Sequence, residues 1–422
     1  MSNLDESGVV RSRKYLAYLF TFLVIANIFD IYATIAQSGG LFPYIRADLG
    51  LDLTQMTTYM AIAGLGGLLA FVPKSLADFI GRRLTVLLSV MGYCLFTGLM
   101  SFATAETVFI FVICVFISKI FWTSDAWAIL LSEEAPARSR GRFISAVQGL
   151  GVIGGIIFSL MLGFINSIGW RTIARITFIG AVLCVIMIPG VKETWRFEKI
   201  KEERRKGKKS LKLSEMFSNL AVPFRKYGKR LLTVTILNVC VSGFIMAALL
   251  GFITEFVTNV MLWSSDKVAT ISLVTSLMAI FGFIASGFIS DLVGRKRSVY
   301  LFAVLVLLGL LAIAFGGYLK ADLLVFFGFP FTALVGYAWE ILSYTLTAEL
   351  FPTEIRGTAS GIAFSIMCAG ASVMWLFSGP IASVISLPGF FAFLVIFSII
   401  PVPMVYSLIP ETAGKELEEI AH

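Results

Sequence analysis

Twelve runs of mostly apolar residues dominate the chain: 15–38, 56–77, 84–104, 107–131, 143–165, 172–190, 230–257, 268–290, 298–319, 323–348, 358–380 and 388–409. Crossing the hydrocarbon of a bilayer as a helix takes about 20 residues, and each run is close to or beyond that length. In lipid an unpaired backbone amide is costly, so a spanning run is either a helix or part of a closed barrel. These runs are too long for barrel strands and do not alternate strictly, so helices are expected. Composition agrees. Of 422 residues, 58% are apolar and 14% charged, the latter a little over half the ~25% usual in soluble domains. That leaves too few charges for a polar coat. It excludes an ordinary cytosolic enzyme, a disordered chain and a nucleic-acid-binding domain.

The first run follows Arg11, Arg13 and Lys14 and could imitate a signal peptide. It is too long for a signal core, lacks a small-x-small cleavage site and carries Asp30, so a retained helix is expected. Basic residues orient the rest. With the N-terminus inside, 27 of the 34 Lys and Arg fall in 1–14, 78–83, 132–142, 191–230, 291–297, 349–357 and 410–422. The outer loops hold Arg46, Arg171, Arg175, Lys267 and Lys320, and Lys74 and Lys119 fall within runs. A multi-pass protein of the plasma membrane with both termini cytoplasmic is expected. The polar stretch with KIKEERRKGKKSLK divides the chain into a bundle over 1–190, a cytoplasmic linker over 191–229 and a second bundle over 230–422. The linker reads as a solvated segment with short surface helices resting on anionic headgroups.

The two halves repeat each other. LADFIGRR (Leu76–Arg83) after run 2 matches ISDLVGRKR (Ile289–Arg297) after run 8. EEAPARSRG (Glu133–Gly141) after run 4 matches ELFPTEIRG (Glu349–Gly357) after run 10, and KETWRFE (Lys192–Glu198) pairs with PETAGKELEE (Pro410–Glu419). The offsets are 213 from Asp78 to Asp291, 216 from Glu133 to Glu349 and 218 from Glu193 to Glu411. Three ordered matches at one near-constant offset mark two related six-helix halves.

On these motifs the chain resembles the major facilitator superfamily, closest to the branch of sugar porters and organic solute:proton symporters. Leu76, Ala77, Asp78, Gly81, Arg82 and Arg83 match that family's loop after helix 2, with Lys74 and Phe79 departing from it. The second copy keeps Gly287, Asp291, Gly294, Arg295 and Lys296. The resemblance implies an all-α membrane fold of 12 transmembrane helices in two pseudo-symmetric six-helix bundles. It also implies cytoplasmic gating by ion pairs among Asp78, Arg82, Arg83, Glu133, Arg140, Glu193, Asp291, Arg295, Lys296, Glu349, Arg356 and Glu411. Glycines in run 2 (Gly64, Gly66, Gly67) and run 5 (Gly149, Gly151, Gly154, Gly155) allow close helix approach, serving static packing and sliding equally.

Charges inside the runs are functional candidates, since each costs ~2.5–3.5 kcal/mol at a helix centre. Asp30, Lys119, Asp125 and Glu340 lie within runs, and Glu255 lies near the outer end of run 7. The resemblance implies proton coupling through an acid in helix 1 and a base in helix 4, here Asp30 and Lys119, with Asp125 as a further candidate. A permanent structural ion pair is the alternative. Tyr337, Trp339, Glu340 and Tyr344 could wall a substrate cavity, with Tyr32 beside Asp30. Gln148 stands where sugar porters place a sugar-contacting Gln. Run 7, however, offers only Asn238 and Ser242 in place of a Gln-rich cluster.

The expected function is proton-coupled symport of a small polar organic solute, an organic acid or a sugar, by alternating access. An uncoupled facilitator or exporter of organic ions or drugs is one alternative. A non-transporting receptor on a transporter scaffold is the other. Lys119 suits an anion, while the acids suit a cation. The expected partners are the solute, protons and the lipid bilayer, and a monomer is expected. No enzyme activity, cofactor or nucleic-acid partner is expected. Five cysteines in apolar runs and a single histidine, His422, give no metal site.

Overall fold

The computed structural model describes residues 12–70, 72–73, 80–122, 130–131, 134, 140–194, 197–198, 201–202 and 213–412. The candidate sites Asp78, Asp125 and Glu133, the linker's basic run 203–212 and His422 lie outside these residues, as do the side chains of Arg140 and Arg356.

The described residues are almost wholly helical, and twelve helices follow the twelve runs. The first bundle has α1 (Arg13–Ile35), which continues through a wide turn at Ala36–Gly40, and α2 (Leu53–Gly64), which tightens over Leu65–Leu69. After these come α3 (Arg82–Leu99), α4 (Val108–Trp122), α5 (Arg140–Gly151, then Ile153–Gly163) and α6 (Ile165–Arg175, then Thr177–Met187). The second has α7 (Leu213–Asn238, running on to Glu255), α8 (Ser265–Val293), α9 (Arg295–Leu319) and α10 (Asp322–Glu349). A last helical stretch, Thr353–Ile399, turns at Ser386 (φ 67°) just before Pro388. The turn divides α11 (353–385) from α12 (387–408). The α7 helix begins at Leu213, inside the stretch read as a linker with short helices, and bends at Tyr227 four residues after Pro223.

Local chemistry starts and stops these helices. A reciprocal box opens α2: Asp52 Oδ1 accepts from the Gln55 amide at 2.7 Å, and Gln55 Oε1 accepts from the Asp52 amide at 3.0 Å. The repeated loops share one backbone device. Gly81 (φ 101°) precedes α3 and Gly294 (φ 97°) precedes α9, both in a conformation that favours glycine. Each helix start is then capped from the end of its own bundle. Glu193 accepts from the Arg82 amide at 2.9 Å, and Glu411 accepts from the Arg295 amide at 2.9 Å and the Lys296 amide at 3.1 Å. A carboxylate there satisfies orphan donors and the positive end of the helix dipole. Glu193→Gln and Glu411→Gln should therefore each cost about 1 kcal/mol, read as similar drops in melting temperature of the detergent-purified protein. Unequal or absent effects would break the parallel.

All five cysteines are buried and none is in a disulfide. Within the first bundle, glycines bring helices together: a Cβ on Gly154 would lie 1.9 Å from the Ile28 carbonyl, and one on Gly66 would lie 2.1 Å from the Phe116 carbonyl. The bundles meet along three pairings, α2 with α11, α5 with α8, and the end of α1 with α7.

Candidate functional site

Between the bundles lies a cavity of about 420 Å³, within the usual range for small-molecule sites. Asp30, Thr34 and Ser38 line it at four-residue spacing, one face of α1. Lys119 of α4 enters from the same bundle, and its Nζ donates to Ser38 Oγ at 3.0 Å. Asp30 acts on Lys119 electrostatically. From α5 comes Gln148, whose Oε1 accepts from Asn27 Nδ2 at 3.4 Å. The second bundle contributes Glu340, which accepts from the Tyr344 hydroxyl at 2.9 Å, and Tyr337, whose ring lies 4.8 Å from that of Phe283. Met246, Met367, Cys368 and Trp375 fill out an apolar wall.

Six expected residues thus come together here: Asp30, Lys119, Gln148, Tyr337, Glu340 and Tyr344. Three others do not. The Tyr32 side chain is 1% exposed and turns away, its hydroxyl donating to the Ile173 carbonyl at 2.8 Å. Asn238 is sealed between helices, with Nδ2 on the Val234 carbonyl at 2.8 Å and on Thr347 at 3.0 Å, and Oδ1 accepting from Ser343 at 2.7 Å. Trp339 is wholly enclosed in the second bundle. The cause is angular: one residue's step around a helix is 100°, so Trp339 cannot share a face with its neighbour Glu340. Thr34 and Ser38, missed in the sequence, were accessible to the same argument counted forward from Asp30. Trp375 and Thr275 carried no such signal.

We call the end holding Arg82 and Arg295 the inner end, after the basic loops, and the opposite end the outer. The outer end is closed by contacts between bundles. Gly39 packs against α7 so tightly that a Cβ there would lie 2.3 Å from the Leu250 carbonyl. Phe42 stacks on Trp375 (5.6 Å, 22°) and meets Phe252 at 5.6 Å, roofing the cavity. Beyond this, Arg46 Nη2 pairs with Glu255 Oε1 at 2.8 Å, the side chains 24% and 4% exposed. In the sequence Arg46 reads as an outer-loop cation and Glu255 as a residue near the outer end of run 7. Asn166, at the start of α6, donates to Ser265, at the start of α8, at 3.3 Å. Gly39→Ala should therefore block outer closure and arrest transport, read as loss of uptake with the folded protein still recovered from the membrane.

At the inner end the described residues include part of the implied set. Arg295 pairs with Asp291 and, at 3.1 Å, with Glu349, whose other oxygen accepts from Thr412. Lys296 donates to the Tyr406 carbonyl at 2.8 Å, and Arg82 lies over the Phe197 ring at 5.4 Å. Arg83 joins Arg82 in donating its amide to Glu193. Each of these contacts joins elements of one bundle.

Comparison with known proteins accords with this architecture. The model of the Major Facilitator Superfamily matches residues 15–374. The glucose transporter GlcP of Staphylococcus epidermidis is 24% identical over 449 aligned positions, covering 98% of each chain. The cis,cis-muconate transport protein of Acinetobacter baylyi is 25% identical over 88% of each chain. The crystal structure of a D-xylose-proton symporter superposes with a TM-score of 0.76 at 17% identity, covering 95% of this chain and 99% of that one. With a family match over most of its length and a two-bundle fold around a central cavity, the chain belongs to the Major Facilitator Superfamily of membrane transporters.

Proposed function

We propose that the chain is a proton-coupled symporter that carries a small polar organic solute, an organic acid or a sugar, across the plasma membrane by alternating access. The observation that carries this reading is the cavity itself. It sits where the bundles meet, takes Asp30 and Lys119 from one and Glu340 from the other, and is roofed on the outer side. A carboxyl and an ammonium in one low-dielectric chamber are electrostatically coupled, so a proton on Asp30 changes what Lys119 can hold. The curated relatives named above carry glucose and cis,cis-muconate. In this reading the bundles over 1–190 and 230–422 rock about the cavity as a monomer, the linker over 191–229 is cytoplasmic, and both termini face the cytoplasm. The inner-end residues, among them Arg82, Arg83, Asp291, Lys296 and Glu349, serve gating by bracing each bundle.

Uptake into proteoliposomes tests it. Labelled solutes from carboxylate and sugar panels should accumulate above equilibrium when the solute-containing side is acidic, and should only equilibrate without a pH gradient. Equilibration alone under both conditions would leave a facilitator. Binding without movement would leave a receptor.

A further inference from the structure

The cavity's polar groups are distributed unevenly, and the distribution discriminates between solute classes. A sugar offers hydroxyls on every edge and calls for matching side-chain amides around it. Of the side-chain amides only Gln148 lines the cavity, and its oxygen already accepts from Asn27. Gln37, beside Ser38, is buried off the lining, and Asn238 is consumed within the second bundle. Most of the lining is instead apolar or aromatic, with the Trp375 ring at one end and the paired Phe283 and Tyr337 rings on one wall. Such walls suit a flat hydrocarbon body.

The donors gather on the other side. Lys119 and Ser38 stand beside Thr34 on the α1 face, and Thr275 lies on α8 across from it. Among the described residues the buried hydroxyls of Thr34 and Thr275 have no hydrogen-bond partner. Buried hydroxyls are ordinarily satisfied, so these two, covered in this arrangement, hold donor capacity that a turn of the side chain would bring to a ligand. Charge points the same way. Asp30 from α1 and Cys368 from α11 act on Lys119, and Glu340, Tyr337 and Tyr344 from α10 share its cavity. Glu340 is engaged by Tyr344 on the far wall. When Asp30 takes up a proton, the chamber gains one positive charge next to Lys119. A carboxylate beside Lys119 replaces the negative charge that Asp30 gives up on that wall, with Glu340 on the opposite one; a neutral polyol replaces none and an organic cation meets Lys119 with like charge.

We propose that the transported solute is a small, flat organic carboxylate, its anionic end held by Lys119, Ser38 and the Thr34 and Thr275 hydroxyls and its apolar body against Trp375. This rests on the symport reading above and narrows it.

The full chain in detergent is titrated with benzoate, cis,cis-muconate, methyl benzoate, benzylamine and D-glucose, following Trp fluorescence and thermal shift. At least one of the two carboxylates should bind, with methyl benzoate at least tenfold weaker and no response to D-glucose or benzylamine. Lys119→Met should weaken carboxylate binding at least tenfold and Lys119→Arg should largely restore it. Thr34→Val with Thr275→Val should weaken it with Lys119 intact, which a purely structural role of the lysine would not produce. Binding of D-glucose or benzylamine in preference to both carboxylates, or carboxylate binding indifferent to Lys119→Met, overturns the assignment. Proteoliposome uptake separates the two levels. Gradient-driven accumulation of sugar alone removes the carboxylate assignment and leaves symport standing. Carboxylate binding without gradient-driven accumulation removes symport and leaves the site.

Discussion

Replacing Glu255 by Gln should raise labelling of Cys368 from the outer side by roughly 100-fold. Cys368 lines the cavity, and the other four cysteines are buried elsewhere, so a variant keeping it alone reports access to the chamber. The argument starts from Arg46 and Glu255, which pair at 2.8 Å across the two bundles with Glu255 almost wholly covered. Removing one partner of a covered ion pair leaves the other charge desolvated and uncompensated, at about 3 kcal/mol. That penalty falls only on the outer-closed arrangement, since opening returns Arg46 to water. At about 1.4 kcal/mol per factor of ten, the balance moves by about two decades toward outer-open. A membrane-impermeant maleimide applied to oriented vesicles reads it directly. The exchanged pair Arg46→Glu with Glu255→Arg should bring labelling back toward the parent rate. Unchanged labelling in Glu255→Gln would show that the aromatic roof alone holds the outer end shut.

The second large effect concerns Asp30. Asp30→Asn keeps the shape of the side chain and its place on the cavity face of α1 but cannot carry a proton. Gradient-driven accumulation should fall at least about tenfold, to the level reached without a gradient, while solute counterflow continues at near the parent rate. Counterflow exchanges loaded carriers and needs no net proton movement, so the two assays separate coupling from binding. Accumulation retained in the variant would remove Asp30 from the proton path and leave it as a structural partner of Lys119.

The fold was legible because lipid permits few solutions. Runs of some 20 apolar residues have to be helices, and the spaced copies of Asp-x-x-Gly-Arg fixed the six-plus-six arrangement. The site was legible only in part. Asp30, Lys119 and Glu340 stood out because a charge in an apolar run needs a reason. Tyr32 and Trp339 do not belong with them, because one or two steps along a helix carry a residue to a different face, and Asn238 does not because Thr347 and Ser343 hold its amide inside the second bundle. The Arg46–Glu255 pair was invisible for another reason: each residue lies near a helix end, where charges are ordinary, and only the packing of α1 on α7 shows that they meet. The terminal acids Glu193 and Glu411 carry an expectation of gating, and they also cap α3 and α9, a role that spacing suggests only once Gly81 and Gly294 are known to turn the chain.

The capping acids have a wider consequence for how the molecule spends free energy in motion. Because Glu193 and Glu411 fasten the last segment of each bundle back onto its own third helix, a swing of one bundle against the other need not unfasten either clasp. Each bundle can behave as a prewired cassette that keeps its internal order through every turnover. The work of turning then falls on the contacts between bundles, where α2 meets α11, α5 meets α8 and the end of α1 meets α7. Cycling speed and pocket chemistry thereby become separately adjustable: changes at Gly39, Arg46 or Glu255 retune the pace, and changes beside Lys119 retune the cargo.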